Sequence, residues 1–367
     1  MNYIFLRKNS KINNLVSSSV WDLPSPSSIS YFWNFGSLLG LTLLSQIISG
    51  LLLSIHYISL SDFSFSRVIH MNRDVVEGWV LRFIHMNGAS FFFIFVYLHI
   101  SRSLFFSRFT HKKVWIRGSF ILVLLMAVSF LGYVLPWGQI SYWAVAVITN
   151  LFSIFPLIGE DLVYWIWGGF SVSSPTLVRF YSLHFLLPFL LLFLVLVHLF
   201  YLHIEGSSSN LGLNRNIDKL IFHPFFSLKD FLSWILIFII FISIVLFEPY
   251  LFGDPVNFVP ADPLSTPLHI QPEWYFLFYY AILRSFPRKL VGILALLCSL
   301  LLLFILPLFY YKFSSKFRNF RYLVYWFFCI NFMFLSYLGA MPAEGIYLVA
   351  SYFLTLFHFF LFFIINL

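Results

Sequence analysis

The sequence predicts an all-α, polytopic membrane protein of eight transmembrane helices. Three observations carry this. The 367 residues are 60% hydrophobic and only 10% charged, a balance that excludes an ordinary soluble domain. Eight apolar stretches are long enough to cross a bilayer, at about 32–55, 79–105, 114–135, 177–203, 229–247, 290–311, 322–341 and 346–366. Lys and Arg are unevenly divided between the two sides those spans define. The side carrying the N-terminus, here called n, holds 15 of the 22 basic residues and the opposite side, p, holds 7, whereas 10 of the 14 acids lie on p.

This asymmetry places both termini on the basic, matrix- or cytoplasm-like side. It accounts for the net charge of +8 without nucleic acid, because the positive charge is not gathered on one soluble face. Cys298 and Cys329 each sit in an apolar run and make neither a metal cluster nor a disulfide framework. The opening MNYIFLRKNSKINN lacks a signal-peptide layout, so insertion is expected to use the spans themselves. Fifty Phe residues suggest the T-rich codons of a small organellar genome.

Taken in order, span one carries Gly36 and Gly50, and span three carries Gly118 and Gly132, both pairs fourteen residues apart. Span two, RFIHMNGASFFFIFVYLHISR, carries His85 and His99, and span four, RFYSLHFLLPFLLLFLVLVHLFYLH, carries His184 and His198, again fourteen apart. The segment after span three, GYVLPWGQISYWAVAVITNLFSIFP, is broken by Pro136 and Gly138 and is expected to form short helices on the p surface. Span five opens with Lys229 and Asp230 on the n side. The connection 248–289 lies on p and contains QPEWYFLFYYAILRS. Three further apolar spans complete the chain.

Fourteen residues is close to four helical turns, so each histidine pair shares a face with its members roughly 21 Å apart along the axis. Ionisable groups inside hydrocarbon are candidates for function. Spans two and four run in the same direction, which levels His85 with His184 near p and His99 with His198 near n. Two stacked His/His pairs read as axial ligands of two haems with no open coordination position, hence electron transfer. A single such histidine would read equally well as an interhelical hydrogen bond. The glycines at the same spacing suggest an N-terminal four-helix bundle, residues 1–206, with small residues beside each macrocycle. Ordinary tight helix packing is the competing explanation. Residues 207–367 form a C-terminal four-helix region with the long p-side loop. Arg82 and Arg102 lie three residues outward of His85 and His99 and are placed to meet haem propionates, with interfacial snorkelling as the alternative. Glu273, a carboxylate in an aromatic setting, is suited to proton transfer by desolvation. His203 and Asp230 at the n-side edge could exchange protons with a reducible ligand, against a competing reading as a surface ion pair. Two rival functions remain open from the residues: another bis-haem oxidoreductase of the cytochrome b561 kind, and a transporter or proton channel with a histidine relay.

The combination HxxxNGASFFF, GYVLPWGQ, the two histidine spacings and PEWY closely resembles the cytochrome b family of ubiquinol–cytochrome c reductase, the bc1 complex. The likeness runs from about Trp21 to about Ser285, is faint over the last two spans, and favours the mitochondrial or bacterial type over the chloroplast b6 type. It implies a Q cycle in the mitochondrial inner membrane, with two haem b groups as cofactors and ubiquinol and ubiquinone as substrates. His85 and His184 would hold the low-potential haem, and His99 and His198 the high-potential one. A quinol-oxidising pocket would use Pro272, Glu273, Tyr133, Tyr280, Ala144 and the 139–150 segment. A quinone-reducing pocket would use His203, Asp230, Lys229 and Ser37. Implied partners are the Rieske iron–sulfur protein, cytochrome c1, other bc1 subunits, membrane lipids and a second copy in a homodimer. Two departures stand out. Where the family commonly reads Trp-Gly-Ala-Thr, this chain has Trp143-Ala144-Val145-Ala146, so inhibitors of the strobilurin type are expected to bind poorly. Where it commonly reads Gly-Arg-Gly, this chain has Ser101-Arg102-Ser103, two hydroxyls expected near an n-side propionate.

Overall fold

The structure, a computed structural model, describes residues 17–208, 217–308 and 318–364. Among them, eight helices are long and apolar enough to cross a membrane, within a few residues of the expected spans. They are α1 (Phe35–Ser54), α3 (Gly78–Phe105), α4 (Lys112–Val134), α7 (Ser174–Glu205), α8 (Phe225–Phe247), α10 (Lys289–Ile305), α11 (Arg318–Ala340) and α12 (Gly345–Ile364). Uninterrupted apolar sequence becomes helix because hydrocarbon offers no partner for an open backbone group. The outer ends of spans six and eight, and the n-side charges Arg7, Lys8, Lys11, Arg215, Lys312 and Lys316, lie outside the described residues.

Four shorter helices decorate the spans. The broken segment after α4 forms α5 (Gln139–Thr149) and a 3-10 turn (Asn150–Ile154), as its Pro and Gly predicted, and α6 (Gly159–Trp167) follows just beyond it. Besides α6, two others were not legible in the sequence: α2 (Ser61–Arg73), between the first two spans, and α9 (Leu277–Arg284), inside the long connection. Eight apolar residues after PEWY have no period long enough to separate helix from loop. One small departure from all-helix is an antiparallel ribbon of β1 (Pro24–Pro26) and β2 (Lys219–Ile221), which pins the segment before α1 to the α7–α8 connection.

Local chemistry sets the entry of α7. Ser173 and Thr176 form a reciprocal capping box, with Ser173 N–H donating to Thr176 Oγ1 at 3.2 Å, and Pro175 occupies the first turn. Ser61 N–H donates to Ser174 Oγ at 3.0 Å, tying α2 to the same start. Arg179 turns back to donate to the Trp165 and Ile166 carbonyls at the end of α6. The direction of α7 is therefore fixed from its p-side end.

The N-terminal helices pack as two close pairs, α1 with α3 and α4 with α7. The pairs face each other through the histidine-bearing stripes of α3 and α7. Behind α3, Phe92, Phe93 and Val96 merge into a core shared with Tyr275 and the C-terminal helices. There α9 is packed among α10, α11 and α12. The outward faces of α7 and α8 are exposed Leu, Ile and Phe, as a lipid-facing surface requires.

Candidate functional site

The four intramembrane histidines meet in two pairs at two levels. The rings of His85 and His184 lie 6.1 Å apart between centroids, and those of His99 and His198 lie 6.4 Å apart. Same-level pairing requires α3 and α7 to be co-directional, as the span count predicted. Each imidazole is backed by one of the glycines. A Cβ on Gly50 would lie 2.9 Å from His85 Cε1, and one on Gly132 would lie 2.4 Å from His184 Cε1. At the other level the figures are 3.5 Å for Gly36 against His99 and 3.4 Å for Gly118 against His198. The glycine repeat thus matches the histidine repeat because the glycines seat the imidazoles themselves, which refines the expectation that they flank a macrocycle.

Two of the rings are oriented by identifiable acceptors. His184 Nδ1 lies 2.9 Å from the Val128 carbonyl, which can only accept, so Nδ1 carries the proton and Nε2 keeps its lone pair. His85 Nδ1 lies 3.0 Å from Ser49 Oγ. The Ser49 hydroxyl donates in turn to the Ser45 carbonyl at 2.7 Å, leaving its oxygen to accept from His85. Both arrangements are those of metal-ligating imidazoles. No group of three or more His, Cys, Asp or Glu that could cage a metal occurs among the described residues. A donor set of two opposed imidazoles fits a metal already held in a planar ring. A cavity of about 270 Å³ opens beside the p-side pair, lined among others by Arg82, His85, Tyr133, His184 and Glu273.

Arg82 lines that cavity. Arg102 lies over the Trp33 ring at 5.1 Å and within 3.5 Å of His99 Nδ1. Its Nε is buried without a hydrogen-bond partner, and no carboxylate pairs with the guanidinium among the described residues. A buried cation in this state calls for an anion such as a propionate. The expectation that Ser101 and Ser103 face such a group is not met. Ser103 Oγ donates to the His99 carbonyl at 3.0 Å, the usual back-bond of a helical serine, and Ser101 Oγ pairs with Tyr325 of α11 at 2.5 Å.

On the p side, Glu273 precedes a short turn of residues 274–276 that is bolted to α3. Trp274 Nε1 donates to Ser90 Oγ at 3.1 Å, Tyr97 donates to the Tyr275 carbonyl at 2.5 Å, and the Tyr275 ring stacks on Phe93 at 4.0 Å. Burial pushes the Glu273 carboxyl up to about 7, opposed by a hydrogen bond from Tyr133 and reinforced by the charge of Asp254. Tyr133 and Glu273 are therefore brought together in one cavity. Pro272, Ala144 and Tyr280 are not among its lining residues. Ala144 is buried in α5, and Tyr280 donates to the Ile270 carbonyl at 3.2 Å beneath Arg284. Asp254 and Ser49 were missed from sequence. Neither carries a spacing signal, and both act only through neighbours distant in the chain.

On the n side, Ser37, Lys229 and Asp230 converge where α1 meets α8. The Ser37 hydroxyl donates to the Asn34 carbonyl at 2.9 Å, Lys229 donates to the Ile29 carbonyl, and Asn34 Nδ2 donates to the Lys229 carbonyl at 3.1 Å and to Ser233 Oγ at 2.7 Å. His203 sits exposed near the end of α7, and no hydrogen bond or ion pair joins it to Asp230 among the described residues.

Comparison with known proteins adds three findings. Residues 20–206 match the family model described as cytochrome b/b6/petB. Residues 260–359 match that described as cytochrome b(C-terminal)/b6/petD, which extends through α11 and most of α12, where the sequence likeness was faint. A chain of a solved structure titled "Hyperthermophilic respiratory Complex III" superposes with a TM-score of 0.89 at 30% identity, covering 99% of this chain and 97% of that one.

Proposed function

Because the chain belongs to the cytochrome b family, we propose that it is the membrane-embedded electron-transfer subunit of a quinol–cytochrome c reductase, oxidising quinol on p and reducing quinone on n. The observation that carries this is the pair of facing imidazoles at each of two levels between co-directional helices. His85 and His184 would hold one haem b, and His99 and His198 a second, with Arg82 and Arg102 countering propionates. When bound, such haems would supply one-electron centres that take up and pass on electrons. The division into a haem bundle, 1–206, and a C-terminal region, 207–367, is supported by the two separate family-model matches.

The protein's own part is orientation and proton handling. Val128 and Ser49 hold the two p-side imidazoles with Nε2 free. Glu273, poised near neutrality, accepts a proton from quinol within the cavity it shares with Tyr133. Pro272, Tyr280 and Ala144 shape the surround of that pocket. Ser37, Lys229, Asp230 and His203 deliver protons to quinone at the opposite surface. A haem-bearing chain without iron–sulfur ligands or a CxxCH motif needs a Rieske protein and a cytochrome c1 to complete turnover. Other bc1 subunits, lipids and a second copy of the chain complete the assembly. The basic n side and the Phe-rich composition support the mitochondrial inner membrane, with the matrix on n.

Redox-titrated difference spectra of the purified complex test the reading. Two b-type midpoints are expected, and His184→Ala and His198→Ala should each remove one. A complex with no b-type band would leave the proton-relay alternative standing.

A further inference from the structure

A buried polar cluster lies outside both sites, where α11 and α12 close around α9. In α12 the polar residues face inward. Ser351, Thr355 and His358 follow at four- and three-residue spacing, share one face and are buried, whereas Ile346, Val349, Phe353 and Phe360 are exposed. On α11, Asn331 is buried to the same degree as His358, each 2% exposed. Thr355 is satisfied, its hydroxyl 2.8 Å from Ser285 Oγ just past the end of α9. His358 and Asn331 are not. His358 Nε2 and both Nδ2 and Oδ1 of Asn331 are buried with no hydrogen-bond partner among the described residues.

Their surroundings are aromatic. The rings of Phe278, Phe328 and Phe362 lie 5.0, 5.4 and 5.1 Å from the His358 ring. Asn331 stands one turn beyond Phe328 on α11 and next to Phe332, which packs on Phe278 at 4.8 Å. The amide and the imidazole therefore belong to one ring-lined seam. Buried polar atoms in native proteins have partners, and three orphans in one seam point to a shared one. It must be small and uncharged and must both donate and accept, because Asn331 offers a donor and an acceptor and His358 one ring nitrogen. Water has these properties, and three contacts is the usual number for a buried one.

We propose that His358 and Asn331 hold one internal water molecule that ties α12 to α11 around the Phe278 end of α9. This site is independent of the haem and quinone reading. Its role is to satisfy the buried polar atoms that α11 and α12 leave unpaired beside the Phe278 end of α9, and so to seat the helix that continues from Glu273.

High-resolution cryo-electron microscopy of the purified complex tests it directly. A density peak within hydrogen-bond reach of His358 Nε2 and the Asn331 amide is expected. A direct bond between the two side chains, or a seam without a peak, overturns the proposal. Thermal unfolding of the same complex gives a second readout. His358→Phe and Asn331→Leu should each lower the midpoint by several degrees, and the double variant, which orphans nothing, should lose less than the two losses combined. Strictly additive losses would count against a shared molecule. Should a variant fail to assemble, the map of the unsubstituted complex decides.

Discussion

At the residue scale, the four glycines are not equivalent, and the distances say how. A methyl group on Gly132 would stand 2.4 Å from a His184 ring already held by the Val128 carbonyl, so the ring must leave its place. On Gly36 it would stand 3.5 Å from His99, an ordinary contact. Gly132→Ala is therefore expected to abolish the spectral signature of the p-side pair, while Gly36→Ala leaves both; difference spectra distinguish them. Glu273 carries a pH prediction. With its carboxyl at about 7, the base is progressively protonated, and unavailable, as pH falls through neutrality. Quinol oxidation should show an acidic limb near that value. Glu273→Gln should remove the limb and slow the reaction by up to about 10²-fold, the lower end for a positioned proton acceptor. Ala144→Gly should raise sensitivity to strobilurin-type inhibitors, read by titration on both proteins.

At the element scale, α9 is the piece that joins the quinol-side turn to the C-terminal helices. Its last residue, Arg284, donates from Nη2 to the carbonyls of Leu338, Gly339 and Met341 at 2.9–3.0 Å, capping the end of α11. The same guanidinium lies 4.3 Å from the Tyr280 ring centroid. Close contact is obligatory along this seam, since a Cβ on Gly339 would meet the Leu277 carbonyl at 2.2 Å. Arg284→Met should destabilise the complex by about 2 kcal/mol, the scale of hydrogen bonds made by a charged group, and lower the thermal midpoint. Arg284→Lys should recover only part, because an ammonium lacks the planar fork. Nothing in the run LFYYAILR announces a helix with this duty. Its arginine reads as an ordinary interfacial charge until α11 is seen to end against it.

At the scale of the whole molecule, function rests on parity. A single intervening crossing, α4, makes α3 and α7 co-directional, levels the histidines in pairs, and puts Glu273 and the Ser37–Asp230 cluster at opposite surfaces. Labelling tests the parity. Ile217, 63% exposed in the α7–α8 connection, and Leu264, 96% exposed in the α8–α9 connection, lie on opposite sides by this count. In sealed, oriented vesicles, an impermeant maleimide should reach Ile217→Cys and Leu264→Cys from opposite faces only. Labelling of both from one face would break the pairing scheme.

Periodicity and polarity alone determined the eight spans, their alternation and the two histidine levels. The reason is physical: a chain in hydrocarbon must satisfy its backbone within each helix, so length and composition leave little choice. The glycine spacing was legible too, though not what the glycines touch. Tertiary structure alone decided which atoms serve the p-side imidazoles, that Arg102 pairs with no carboxylate among the described residues, that Ser101 turns to Tyr325, and that burial, reinforced by Asp254, raises Glu273. These depend on contacts between segments tens to hundreds of residues apart, and such contacts follow from how packed faces meet in space, which no local pattern in the chain encodes.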